Sequence, residues 1–102
     1  MEITISGRHL EITSAIREYA EEKAGRLPKF YDLIHDVDII LDGSVDGGHK
    51  RAEIVALAEH KNRFVAHHEG ADLYGCIDQA IHKLQTQLTA HKERHRNRKH
   101  VT

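Results

Sequence analysis

The apolar residues of this chain keep two different periods, and the places where the period changes fix what it can fold into. Ile16, Ala20, Ala24 and Leu27 recur every three or four residues, with Tyr19 at the edge, and make one stripe along a helix. Leu73, Ile77, Ala80, Ile81, Leu84 and Leu88 do the same near the C-terminus, with Cys76 beside the stripe. Elsewhere the pattern alternates: Ile3 and Ile5, then Val37, Ile39 and Leu41, then Phe64 and Ala66. A stripe can bury one face of a helix and an alternation one face of a sheet. A chain that carries both closes by laying helices on a sheet.

The punctuation sets the element boundaries. A short strand ends at Gly7, and Thr13 is placed to cap a helix that the stripe carries to about Leu27. Pro28 stops it, because its ring cannot continue the hydrogen-bond ladder. His35 to Asp42 reads as a strand. The stretch from Asp42 to Gly48 holds three of the seven glycines and reads as a turn or flexible loop. Arg51 to Glu59 is ambiguous: its Ala and Glu suit a helix, while its alternation and the turns on either side favour a strand. Lys61-Asn62 is a tight connection to a strand at 63–68, and Asp72 caps the last helix. Past Leu88 no large apolar residue occurs before Val101, so that helix leaves the body or frays into a polar tail. The expected order is β-α-β-β-β-α, an α+β fold with two helices packed on one face of a four-stranded sheet. Residues 1–91 make a single domain, and 92–102 a basic, flexible C-terminal tail.

Size and composition narrow the class. One hundred and two residues, 39% hydrophobic and 30% charged, suit one modest core. No apolar run approaches the roughly 20 residues of a membrane-spanning helix, and the N-terminus does not read as a secretory signal. The single cysteine, Cys76, forms no intrachain disulfide and no four-cysteine zinc site, which fits a cytoplasmic setting.

The net charge of −1 conceals an asymmetry. Residues 1–81 carry nine Lys and Arg against fifteen acids, whereas 82–102 carry six against Glu93 alone. An acidic body with a basic end points to a polyanionic partner. On the last helix Lys83 and Arg94 lie about three turns apart on one flank of the stripe. On the first helix Lys23 and Arg26 share a flank, with Lys29 just beyond the stop, and Lys92 adds to the basic end. If both helices cover one face of the sheet, these groups line a basic surface that reads phosphate charge and shape. The bland alternative pairs each cation with Glu18, Glu21 or Glu22.

Signatures of catalysis are absent: there is no phosphate loop, no nucleophile elbow and no paired Cys/His motif. Cys76 sits at the edge of an apolar stripe, where cysteine behaves as a small hydrophobe. Ten histidines are unusual for this length. His91 and His95 share a helix face as zinc ligands do, but a third ligand at fixed spacing is missing. Adjacent His67 and His68 point to opposite faces of a strand. A histidine-rich metal-binding module is therefore the alternative from another class.

Two blocks carry a family resemblance. The first is Glu11-Ile12-Thr13-Ser14-Ala15-Ile16-Arg17-Glu18, continued by Lys23, Arg26 and Leu27. The second runs from Glu69 to Asp78 and continues through Lys83-Leu84, Gln87-Leu88 and His91-Lys92. In this order and at this distance they resemble the short ribosome hibernation-promoting factors, relatives of the ribosome-associated inhibitor, from Ile3 to about Arg94. The resemblance implies the β-α-β-β-β-α fold and a place in the channel between head and body of the small ribosomal subunit, over the sites of messenger and transfer RNA. It implies contacts to ribosomal RNA at Lys23, Arg26, Lys29 and Lys83. Thr86 and Ala90 stand where the family usually has basic residues, a departure for which Lys92, Arg94 and the cluster from Arg96 to Lys99 are expected to compensate. A second departure is Asp42-Gly43-Ser44, where the family's second strand normally leads into a Val-Glu-Lys-like stretch. It further implies ribosome dimers as the silent product, with no catalysis, cofactor, membrane or small-molecule substrate. The related inhibitor that holds monomers has a longer acidic tail, and the short basic one here favours the dimer-promoting type.

Overall fold

The structure is a computed structural model that describes the backbone of residues 1–101 and the side chains of residues 1–94. Six elements follow in the expected order: β1 (Glu2–Arg8), α1 (Ser14–Ala24), β2 (Ile34–Asp42), β3 (Lys50–Ala58), β4 (Arg63–Gly70) and α2 (Leu73–Val101). The strands form one sheet in the order β1-β2-β3-β4. β1 runs parallel to β2, because α1 carries the chain back along the sheet, and the other neighbours are antiparallel. Ile3 lies beside Val37 and Ile5 beside Ile39, so the alternating residues of successive strands share a face. That face meets both helices in one core. Val37, Ile39, Leu41 and Ile54 from the sheet and Ala20, Ala24, Ile77, Leu84 and Leu88 from the helices are all fully buried.

The ambiguous segment is a strand, and its alanines explain the ambiguity. Ala52, Ala56 and Ala58 all point into the core, at 0–2% exposure. Small side chains at these positions let the helix layer approach the sheet backbone closely. Tertiary packing has overridden the helix preference of the composition.

Three boundaries differ from expectation. α1 ends at Ala24 instead of near Leu27: the Gly25 N–H still bonds the Glu21 carbonyl at 2.8 Å, but the chain then tightens into a single 3-10 turn over Leu27–Lys29, with Pro28 near its start. Leu27 remains fully buried there, so the stripe outlasts the helix. The β3–β4 connection turns on His60 and Lys61, one residue earlier than read from sequence. Both have left-handed φ (63° and 61°), as a two-residue hairpin turn demands. β4 runs on to Gly70, and Asp72 takes its expected place before α2, its carboxylate accepting from the Gly75 N–H at 3.1 Å.

The loop after β2 is pinned. The Asp42 carboxylate accepts from the Ser44 N–H at 2.9 Å and lies 3.1 Å from His9 Nδ1, contacts that hold its pKa below the ordinary value. A Cβ on Gly43 would stand 2.4 Å from the His9 carbonyl, so only glycine fits. The first-helix cap is as expected: Thr13 Oγ1 accepts from the Ile16 N–H at 3.2 Å.

α2 remains helical well past Leu88, spanning about 44 Å at 1.5 Å per residue over its 29 residues. The last anchor described on it is His91, whose ring packs edge-on against Tyr31 and Phe64, 5.1 Å from each centroid. An imidazole thus continues the stripe where the sequence offers no large apolar residue. The side chains of Arg96, Arg98 and Lys99 in the basic tail lie outside the described residues.

Candidate nucleic-acid interface

A shallow groove separates α1 and its terminal turn from α2. Its first section is lined by Lys23, Arg26, Asp78, Ile81, His82 and Gln85. The middle section shares His82 and Gln85 with it and adds Phe30, Thr86, Thr89, Ala90 and Glu93. The far end is lined by Lys29, Phe30, Thr89, Lys92 and Glu93. The packing of the two stripes determines this course. With Ile77, Ile81, Leu84 and Leu88 turned to the sheet, the 100° step of the helix brings Asp78, Gln85, Thr89 and Lys92 to the side facing α1.

Four of the six candidate cations therefore border one feature: Lys23 and Arg26 at one end, Lys29 and Lys92 at the other. Thr86 and Ala90 leave its middle without a cation, where Glu93 is the charged residue, and the Thr86 hydroxyl is turned back to the His82 carbonyl at 3.1 Å. Lys83 and Arg94 stand on the opposite flank of α2, toward β4. Lys83 Nζ donates to the His67 carbonyl at 3.0 Å and meets His68 Nδ1 at 3.2 Å. One turn on, Gln87 Nε2 donates to the Val65 carbonyl at 2.8 Å. β4 is an edge strand, and these two side chains cover carbonyls that no neighbouring strand pairs. The Lys83–Gln87 spacing of four was readable in the sequence; its purpose was not.

The cations differ in how firmly they are held. Arg26 pairs with Glu22 at 2.7 Å, one of the partners the bland alternative names. Lys23 instead reaches across the groove to Asp78, 3.9 Å away, and lies 5.3 Å from the Tyr19 ring centroid. Tyr19 donates its hydroxyl proton to the same carboxylate at 2.5 Å, which with burial pushes its pKa to about 12. Among the described residues, Lys29, Lys92 and Arg94 make no ion pair. Asp78, the hub of this cluster, was missed in the sequence, because nothing in one chain's pattern says which residues of two helices will face each other.

Cys76 is almost fully buried, and burial, with Asp72 and Glu69 adding to it, raises its pKa above the ordinary thiol value. Such a thiol is a poor nucleophile. No group of three or more His, Cys, Asp or Glu among the described residues could hold a metal ion. The His95 side chain, part of the His91–His95 pair, lies outside the described residues. Among the described residues, no helix is long and apolar enough to cross a membrane.

A helix layer carrying a cation-bordered groove over a four-stranded sheet has the form of a polyanion-binding domain. The chain belongs to the family described as Sigma 54 modulation protein / S30EA ribosomal protein, which it matches over residues 3–96. That family is one of ribosome-associated hibernation factors and not of enzymes. Among its relatives, the ribosome hibernation promoting factor of Azotobacter vinelandii is 36% identical, the match covering 92% of this chain and 85% of that protein. The factor of the same name from Escherichia coli K12 is 34% identical over 92% of this chain and 96% of its own length. Solved structures share the fold, two of them as follows. A ribosomal subunit interface protein from Coxiella burnetii superposes with a TM-score of 0.82 at 29% identity, over 91% of this chain and 99% of that one. The N-terminal domain of Thermus thermophilus Protein Y gives 0.73 at 37% identity, over 87% and 93%.

Proposed function

We propose that this protein is a cytoplasmic translation-silencing factor that binds the small ribosomal subunit in its decoding channel. It excludes messenger and transfer RNA by occupying their place, and promotes hibernating ribosome dimers. The observation that carries this reading is the groove with Lys23, Arg26, Lys29 and Lys92 on its borders, in a chain whose relatives are named as ribosome hibernation factors. The mechanism is steric blockade with phosphate neutralisation, without cofactor or turnover. Lysine and arginine displace condensed counterions from phosphates. Lys83, Arg94 and the basic segment 92–102 extend the contact beyond the groove, and the scarcity of acids in that segment favours the dimer-promoting over the monomer-holding type.

The test is co-sedimentation of purified protein with isolated small and large subunits across a salt series. The four groove contacts alone predict a slope of roughly −2.8 to −3.6 in log affinity against log salt, and the contacts beyond the groove steepen it. Affinity for small subunits should then fall at least about 50- to 150-fold between 50 and 200 mM salt. Arg26→Glu and Lys29→Glu should weaken binding and flatten the slope, whereas Arg8→Glu at the end of β1 should leave both unchanged. Binding insensitive to salt, or equal for both subunits, overturns the reading.

A further inference from the structure

Three large hydrophobic side chains among the described residues stand exposed: Met1, Leu33 and Tyr74. Tyr74 differs from the others in being fixed. It lies in the first turn of α2, and its ring packs against Tyr19 with centroids 4.9 Å apart and planes at 88°. Tyr19 is in turn held by its bond to Asp78, and Lys23 rests beside its ring. Yet 38% of Tyr74 is open to water, and its hydroxyl has no protein partner among the described residues. The core does not need this arrangement, since Cys76, Ile77 and Ala80 already anchor that end of α2. An aromatic ring immobilised by its neighbours and left uncovered, one ring removed from the Lys23 ammonium, suits a flat apolar ligand joined to negative charge.

We propose that Tyr74, backed by Tyr19, is a stacking platform for one unpaired nucleobase of RNA, whose flanking phosphates are met by Lys23 and Arg26. Single-stranded bases stack on exposed aromatic side chains, and every base offers a face for this. Packing against Tyr19 fixes the ring in advance, so little side-chain entropy is lost on binding. Asp78 shapes the same site. It holds Lys23 3.9 Å away at the groove wall, from which the ammonium can transfer to a phosphate. The inference deepens the ribosome-binding reading and rests on it for the identity of the RNA, but base stacking can be measured apart from the ribosome.

Two probes separate these claims. The first is a single-stranded octaribonucleotide compared at low salt with an abasic chain of the same phosphate count. The wild-type protein should prefer the base-bearing chain. Tyr74→Ala should abolish that preference and Tyr74→Phe should keep it, with circular dichroism confirming that all three are folded. The second probe is the isolated small subunit, to which Tyr74→Ala should bind about tenfold more weakly with an unchanged salt slope, because the lost contact carries no charge. No base preference in the wild type, or a preference that survives Tyr74→Ala, overturns the platform even if subunits are bound. A base preference that depends on Tyr74 in a protein that ignores small subunits upholds the platform and overturns the ribosomal reading instead.

Discussion

Replacing Lys83 with methionine separates two jobs that the sequence and the structure give the same side chain. Its aliphatic stem is preserved, so packing along α2 is unchanged and only the ammonium is lost. In the folded chain that ammonium serves the His67 carbonyl at 3.0 Å and His68 Nδ1 at 3.2 Å. A hydrogen bond from a charged donor contributes roughly 1.5–3 kcal/mol when shielded. This one lies at the solvent-exposed edge of β4, where water replaces it on removal, so about 1 kcal/mol is the expected loss. For a domain near this size that corresponds to a melting temperature lowered by about 4–8 °C, read by circular dichroism. Gln87→Ala, which uncovers the Val65 carbonyl, should cost a similar or smaller amount. If Lys83→Met melts with the wild type while subunit affinity drops with a salt slope flatter by about 0.8, the side chain is a free phosphate ligand. The edge-covering account would then be wrong.

Alkaline titration followed by phenolate absorbance should show one tyrosine ionising late, near pH 12, for Tyr19. Because its pKa is raised on folding, the stability this bond gives is complete below pH 10 and lost as pH rises toward 12. Asp78→Asn should move the late step earlier, and a titration unchanged by that substitution would contradict the assigned bond. Lys61→Gly relieves a left-handed backbone at a lysine and should raise stability by about 0.5–1 kcal/mol in urea melts, while a loss would mean that the turn is not strained. Leu84→Ala removes a fully buried side chain between α2 and the sheet and should cost about 2–5 kcal/mol, with a smaller effect indicating that α2 is loosely docked. Ending the chain after His91 should preserve the melting transition but weaken binding to small subunits, and equal affinity would leave the basic segment without a role.

The fold was legible because each helix and strand buries one face, and that face writes its period into the sequence. What stayed ambiguous has a common cause. The alanines of β3 look like helix formers until α2 is laid across them, and His91 looks polar until Tyr31 and Phe64 close around it. At the candidate interface the flank of each helix followed from residue spacing, so Lys23 and Arg26 were found together. The pairings across elements were not visible. Asp78 with Tyr19 and Lys23, and Lys83 with the β4 carbonyls, depend on how far each helix is rotated against the sheet. That rotation is a property of the packed core, to which no single segment gives access.

Competition on the small subunit tests the central claim most directly. Small subunits carrying a labelled messenger and its cognate transfer RNA are titrated with the protein, and retention of the transfer RNA is measured by filter binding. If the protein occupies the decoding channel, transfer RNA is released in step with protein binding, and Arg26→Glu requires a higher concentration for the same release. Stable binding of protein and transfer RNA to the same subunit would place the protein outside the channel and contradict the account.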